Sequence, residues 1–142
     1  MAERVIYTQD DGTMAVIVPA PGFTGADVMK DVPAGKTGTI VDHTTLPADR
    51  MFRAAWVENL GVSSTDLPKA KLVAHDMRRY DRTTKLTPLD DQINWAVGDT
   101  TLQNSLEAQR ATIRAANATT QINIDTAADE TALRTVLTTE LG

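Results

Sequence analysis

The sequence predicts an α+β fold, in which a small antiparallel β-sheet region is followed by three to four α-helices. Short β-branched stretches separated by glycine-containing turns fill the N-terminal part of the chain. Apolar residues recur at helical spacing in the C-terminal part. The pattern changes at Asp66, which predicts a β-rich region over residues 1–65 and a helical region over residues 66–142. These regions form one compact domain or two closely packed subdomains.

Two β-hairpins are predicted in the β-rich region. "RVIYT" and "MAVIVP" flank "QDDGT", where Gly12 can adopt the positive φ that a tight turn requires. "FRAAWV" and "VSST" flank "ENLG", which places Gly61 in the turn of the second hairpin. Between the hairpins, "TIVD" predicts a further short strand, after a Gly- and Pro-rich loop that holds one short helix near residues 27–30.

The first two helices are predicted from their capping residues. Asp66 is a preferred N-cap, and Pro68 lies in the first turn, where its missing N–H costs no hydrogen bond. Thr87 and Pro88 repeat this pattern and predict the start of a second helix, which ends at Gly98.

The third helix begins near Thr101, and the last helix lies within "DTAADETALRTVLTTELG". Residues 119–125 fit either an extended segment or a continuation of the third helix. No coiled-coil heptad is evident, and the third helix has few large apolar side chains. A helix of this kind buries little surface by itself, so we expect a partner to complete it.

Composition and charge restrict the class of function. The chain has no cysteine, which excludes disulfides, thiolate metal ligands and cysteine nucleophiles. The net charge is −5, divided as −4 over residues 1–49, +4 over residues 50–85 and −5 over residues 86–142. A basic centre between acidic flanks argues against nucleic acid as a partner and suits contacts with other proteins. No apolar run reaches membrane-spanning length and no signal peptide is evident, which predicts synthesis in the cytoplasm without membrane association.

Motifs for catalysis, cofactor binding and metal binding are missing from the sequence. His43 and His75 each adjoin an aspartate, but neighbouring residues of a helix point about 100° apart and do not form a catalytic pair. "PAGKTGT" lacks the first glycine and the following helix of a phosphate-binding loop. Asp90 and Asp91 are interpreted as a favourable helix N-terminus. We therefore predict no catalytic, cofactor-binding or metal-binding residues.

Two groups of residues remain as candidates for structural or binding roles. Arg78, Arg82 and Lys85 follow one another at helical spacing and share a face. This face is either solvated or an interaction stripe for an acidic surface, such as the C-terminal helices of a neighbouring copy.

The stretch "LPADRMFRAAW" forms the second group. If "FRAAWV" is a strand, Phe52, Ala54 and Trp56 face one side and Arg53 faces the other. Phe52 and Trp56 then anchor the sheet onto the helices. Arg50 lies on the side of Phe52, where it can pair with a carboxylate or cap a helix C-terminus.

Three stretches together resemble small structural and tail-region proteins of tailed bacteriophages: "YTQDDGTMAVIVPAP", "LPADRMFRAAWV" and "DLPKAKLVAHDMRRYDRTTKLTPLD". "LTPLDDQINWAV" followed by "LEAQRATIRAAN" is similar in layout to the C-terminal region of tail-fibre assembly proteins. The resemblance covers about residues 5–118 and carries over no catalytic residue. The residues that match its central pattern are Asp49, Arg50, Phe52, Arg53, Ala55 and Trp56.

The resemblance implies a non-enzymatic virion structural protein, either a capsid decoration or cement protein or a component of the tail and fibre. Its expected partners are other phage structural proteins, and its expected state is a homo-oligomer. Its expected location is the virion, after synthesis in the host cytoplasm. Two alternatives remain: a tail-fibre assembly chaperone that is absent from the mature particle, and a small enzyme of unknown type.

Overall fold

The computed structural model describes residues 2–142, which divide into two compact units. The first unit ends at Ala70, and the second runs from Lys71 to Gly142. The described residues form five short strands in two antiparallel sheets and four α-helices, which confirms the predicted α+β class. The division between the units falls in the first turn of a long helix, close to the predicted boundary at residue 66.

The first sheet has three strands: β1 (Glu3–Thr8), β2 (Met14–Ile17) and β3 (Thr39–Asp42). β1 lies in the centre and pairs with both neighbours in antiparallel fashion. Gly12 has a φ of 83° in the turn between β1 and β2. The first predicted hairpin and the predicted third strand are therefore confirmed.

Both faces of this sheet are covered within the first unit. On one face, Ile6 and Met14 pack against Trp56. The other face lies against α1 (Gly25–Val28), where a side chain added at Gly25 would meet Ile40 at 2.9 Å. A 3₁₀ helix continues α1, so the short helix predicted near residues 27–30 is present.

The second hairpin consists of β4 (Trp56–Asn59) and β5 (Val62–Thr65). Leu60 and Gly61 link these strands with φ values of 51° and 83°. Two consecutive positive φ angles are typical of a type I′ turn, whose twist matches that of the strands. The predicted hairpin is confirmed, with Gly61 in its turn.

The strand predicted to begin at Phe52 is wrong, because Arg53–Ala55 forms a 3₁₀ helix before β4. The N–H of Ala55 donates to the Phe52 carbonyl at 2.8 Å. Residues three apart are eclipsed in a 3₁₀ helix, so Phe52 and Ala55 are buried while Ala54 is exposed. Alanine also has low strand propensity, which removes the local drive for the predicted alternation.

The first long helix, α2, runs from Leu67 to Trp95. Asp66 caps its N-terminus, because the Asp66 carboxylate accepts the Lys69 N–H at 2.9 Å. The predicted cap and the first-turn proline are therefore confirmed.

The predicted start of a second helix at Thr87 is wrong, since α2 continues through Pro88. A proline inside a helix removes one backbone hydrogen bond, here the bond to the Thr84 carbonyl. Thr84 is exposed, so water can satisfy that carbonyl. The next residue, Leu89, is buried, and this packing holds the helix together across the proline.

The second unit contains α3 (Thr100–Thr126) and α4 (Glu130–Glu140) as well as most of α2. Residues 119–125 are helical, which resolves the alternative that the sequence left open. Near the connection of α2 to α3, Leu89, Ala96 and Leu106 form a buried apolar cluster. Leu133 and Leu137 bury one face of α4. No helix in residues 2–142 has the length and hydropathy needed to cross a membrane.

We predict that Gly61→Ala destabilises the first unit more than Gly35→Ala does. Both positions have positive φ, so each alanine should lower the free energy of unfolding by about 1 kcal/mol. The added Cβ at position 61 would also lie 2.7 Å from Thr39 Cγ2, whereas the Cβ at position 35 meets nothing within 4 Å. Urea unfolding followed by the fluorescence of Trp56, in a Trp95→Phe background, measures the difference.

A Thr39→Ser change supplies the control, because it removes the Cγ2 methyl group alone. It should recover the extra loss in the Gly61→Ala background. Equal losses for Gly61→Ala and Gly35→Ala would show that Thr39 does not limit the space at this turn.

Candidate functional site

An open groove of about 490 Å³ lies in the first unit, and we call it the arginine groove. Arg4, Arg50 and Arg53 line it together with His43, and none of its described lining residues is acidic. Apolar residues form the rest of its wall, chiefly Val16, Val18, Leu46, Pro47 and Trp56. The groove thus combines guanidinium groups with an apolar surface.

The first sheet and the segment after β3 together form this groove. Arg4 is two residues from Ile6 on β1, and alternation along the strand places both on the same face of the sheet. That face carries Trp56 and the partly buried Leu46. The arginine groove therefore lies beside the contact between Trp56 and the sheet.

The acidic residues near the groove are held by their own turns. The Asp42 carboxylate accepts the Thr44 N–H at 2.9 Å and the Thr44 hydroxyl at 2.8 Å. The Asp49 carboxylate accepts the Met51 N–H at 3.0 Å. These bonds lower the pKa of Asp42, the Thr44 N–H first and its hydroxyl second.

Arg50 and Arg53 are exposed, and neither side chain pairs with a carboxylate among residues 2–142. The predicted pairing of Arg50 with a neighbouring carboxylate is therefore absent from the described residues. The predicted strand placed the two arginines on opposite sides, but the turn at Arg53–Ala55 brings both to the groove.

Phe52 and Trp56, the predicted anchors, are both buried, with exposed fractions of 0% and 5%. Trp56 packs on Ile6 and Met14, so the contact that it supplies is to the first sheet. The Trp56 indole nitrogen is buried and finds no hydrogen-bond acceptor in the described part of the chain. A buried donor without an acceptor is uncommon and costs free energy.

The predicted interaction stripe is wrong for Arg78, which is 4% exposed. Its Nη1 donates to Asn117 Oδ1 at 2.5 Å, so α3 covers this side of α2. Burial lowers the pKa of Arg78, with smaller contributions from Arg79 and Arg82.

Arg82 and Lys85, the other predicted stripe residues, are half-buried. Lys85 pairs with Asp81 at 2.8 Å, one helical turn away. The structure therefore does not bring the three predicted residues together as one free basic face.

A network of polar side chains, which we call the polar seam, joins α2 to α3 around Arg78. Arg78 Nε donates to His75 Nδ1 at 3.3 Å, and His75 Nε2 lies 2.7 Å from Asp125 Oδ1. Lys71 donates to the Asp125 carbonyl at 2.8 Å. Because the guanidinium can only donate, His75 Nδ1 is the acceptor and Nε2 carries the proton that reaches Asp125.

The contact of His75 with Asp125 was not predicted from the sequence, because only the adjacent Asp76 was considered as a partner. Both nitrogens of the His75 ring are occupied within the polar seam. The arrangement fixes the His75 ring between Arg78 and Asp125 and so links the two helices. This is the role of a structural histidine.

The candidate metal and phosphate motifs have other partners. Asp90 lies 3.0 Å from Arg110 Nε, and Lys36 pairs with Asp10. Within residues 2–142, no group of three or more histidine and acidic side chains is placed to hold a metal ion.

Comparison of the chain with protein-family models, curated proteins and solved structures finds no match. The resemblance to phage structural proteins therefore stays a prediction.

We predict that the polar seam stabilises the second unit only while both of its central partners are present. Asn117→Leu leaves the buried Arg78 guanidinium without its acceptor and should lower the free energy of unfolding by about 3 kcal/mol. The double variant Arg78→Met/Asn117→Leu should lose about 1 kcal/mol or less, because no charge is then left unpaired. Urea unfolding followed by far-UV circular dichroism measures both values.

Arg79→Met is the matched control for this comparison. Arg79 is exposed and pairs only with Asp76, so its loss should cost about 0.5 kcal/mol or less. If the double variant loses as much as the single variants Arg78→Met and Asn117→Leu combined, the two side chains act independently.

We also predict that protonation of the Asp42 carboxylate makes the first unit less stable in acid. A carboxylate whose folded pKa is below its ordinary value of 3.8 stabilises the fold above that pH, and the contribution disappears as the pH falls towards the folded pKa. Asp42→Asn removes the titrating group. The stability difference between the original protein and Asp42→Asn should therefore shrink between about pH 5 and about pH 3, by urea unfolding at each pH. A constant difference would contradict the assignment.

Proposed function

We propose that this chain is a non-enzymatic structural protein of a tailed-bacteriophage particle and acts through protein–protein contacts. The resemblance of the "LPADRMFRAAWV" region and its neighbours to phage structural proteins suggests the particle. Exposed apolar residues at the connection of α2 to α3 support the mode of action.

We call these residues, Trp95, Val97 and Leu102, the hairpin tip; all three are exposed and lie within eight positions of the chain. Trp95, the last residue of α2, is 90% exposed, and Val97 is 78% exposed. The residue between them, Ala96, is buried. Burying one such side chain gains about 1.5–3 kcal/mol relative to leaving it in water. Exposed tryptophan is the residue type that most often anchors protein interfaces. The hairpin tip is therefore the single observation that carries the proposal.

The proposed partner of the hairpin tip is another structural protein of the particle. The polar and small residues of α3 also fit this role, because a helix with a narrow apolar face gains from a covering partner. Capsid decoration and a place in the tail or fibre are both compatible with this surface.

The proposal is tested by mass spectrometry of purified particles of a phage whose genome encodes this chain. We expect the chain in fixed stoichiometry with the major structural proteins. Its presence in infected lysate but not in particles would overturn the proposal and favour the fibre-assembly chaperone.

We predict that Trp95→Gln lowers incorporation into particles without unfolding the protein. The exposed ring contributes little to folding, so the free energy of unfolding should change by about 0.5 kcal/mol or less. Loss of a central aromatic anchor costs about 2 kcal/mol or more in binding, which is more than about tenfold in affinity. Quantitative mass spectrometry of particles from complemented infections measures incorporation.

Leu72→Gln is the matched control, because Leu72 is an exposed apolar residue of α2 far along the helix from the tip. It should incorporate as the original protein does. Equal incorporation of Trp95→Gln and the original protein would rule out the hairpin tip as the contact.

A further inference from the structure

We propose that the arginine groove binds an acidic segment of a partner protein, in which an apolar side chain adjoins a carboxylate. This inference is separate from the hairpin tip, which lies in the other unit and has no charged residue among Trp95, Val97 and Leu102.

Charge identifies the first part of the ligand. Arg4, Arg50 and Arg53 line one groove, and the chain carries a net charge of −5, so this concentration of positive charge is local. The carboxylates of Asp42 and Asp49 each accept a backbone N–H of their own turn, and Asp42 also lies 3.3 Å from His43 Nδ1. Guanidinium groups match carboxylates through paired hydrogen bonds, which makes arginine the preferred residue for such recognition.

The free guanidinium groups point to a ligand and not to an internal ion pair. Arg50 and Arg53 are exposed and pair with no carboxylate among the described residues. Arg4 donates one hydrogen bond, from Nη1 to the Glu3 carbonyl at 2.8 Å, and its guanidinium has further donors.

The apolar wall identifies the second part of the ligand. Leu46, Pro47 and Trp56 line the same groove as the arginines. A bare inorganic anion would leave this wall in water, whereas an apolar side chain next to a carboxylate would cover it. The groove volume of about 490 Å³ is within the usual range of binding pockets.

The Trp56 indole provides a spectroscopic reporter for this groove. Trp56 is 5% exposed and lines the groove, and its indole N–H has no acceptor in the described chain. Because the indole nitrogen is itself covered by the chain, a ligand seated in the groove meets other atoms of the ring. The indole N–H signal therefore reports occupancy of the groove through the change in the surroundings of the ring.

A nucleic acid fits the groove less well than an acidic peptide. Phosphate backbones select a sustained positive face, and this chain has acidic stretches on both sides of residues 50–85. A short segment with one or two carboxylates needs only the local charge that the groove provides.

Nuclear magnetic resonance of the ¹⁵N-labelled full chain tests the proposal. The chain has two tryptophans, so its indole N–H region should hold one signal from Trp56 and one from the 90% exposed Trp95. The probe is an N-acetylated, C-amidated peptide of alternating leucine and glutamate. We expect a saturable shift of the Trp56 signal, while the Trp95 signal stays in place. Binding should weaken as the salt concentration rises.

The double variant Arg50→Gln/Arg53→Gln should bind this peptide at least about tenfold more weakly, since it loses charge-assisted hydrogen bonds. Both residues are exposed, so the dispersion of the spectrum should remain that of a folded protein. Arg114→Gln, which changes an exposed arginine of the second unit, should leave the affinity unchanged.

Three results would overturn the inference. The first is the lack of a saturable Trp56 shift with the peptide. The second is equal binding of a control peptide with glutamine in place of glutamate, which would show that charge is not recognised. The third is equal binding of inorganic phosphate, which would reduce the groove to a simple anion site. None of these results bears on particle incorporation, so this inference and the proposed function can fail separately.

Discussion

The packing of Trp56 on Ile6 and Met14 is the contact on which the first unit depends. The three-stranded sheet needs cover on both faces, and α1 lies against only one of them. Trp56 supplies the other cover and is also the first residue of β4. Burying this indole therefore fixes the start of the second hairpin. The segment before it supplies Leu46, Arg50 and Arg53 to the arginine groove, which Trp56 also lines.

The second unit depends on a different kind of contact. Near the connection of α2 to α3, apolar residues pair as in an ordinary helix hairpin. Further from the connection, the two helices meet through Arg78, Asn117, His75 and Asp125. Apolar side chains tolerate sliding, whereas buried polar groups are satisfied at one alignment only. We infer that the polar seam sets the register of the two helices, a role known for buried polar residues in coiled coils.

Local signals in the sequence were sufficient for the hairpins, the helix caps and the α+β class, because turn glycines and capping residues act on their immediate neighbours. The wrong predictions arose where tertiary packing prevailed: Leu89 holds α2 together across Pro88, and α3 buries Arg78.

The sequence of α3 does contain a pattern that indicates the polar seam. Most of the less exposed residues of α3 recur at spacings of three and four, but four of these seven are polar: Gln103, Leu106, Arg110, Ile113, Asn117, Thr120 and Ile124. A search for apolar heptads overlooks such a pattern. The partner of His75 lies 50 residues away, beyond any local rule.

The basic block of residues 50–85 illustrates why net charge alone is a poor guide to a binding surface. Its charged residues have different contacts: Arg78 is buried and hydrogen-bonded inside the polar seam, and Lys85 pairs with Asp81 along α2. Arg50 and Arg53 remain without ion pairs among the described residues, and both line one apolar-walled groove. Residues 50–85 carry a net positive charge but do not form one positive face. Their charged contribution to the arginine groove is Arg50 and Arg53. Such a surface selects a ligand by the spacing of its carboxylate and apolar groups, which a continuous basic face cannot do.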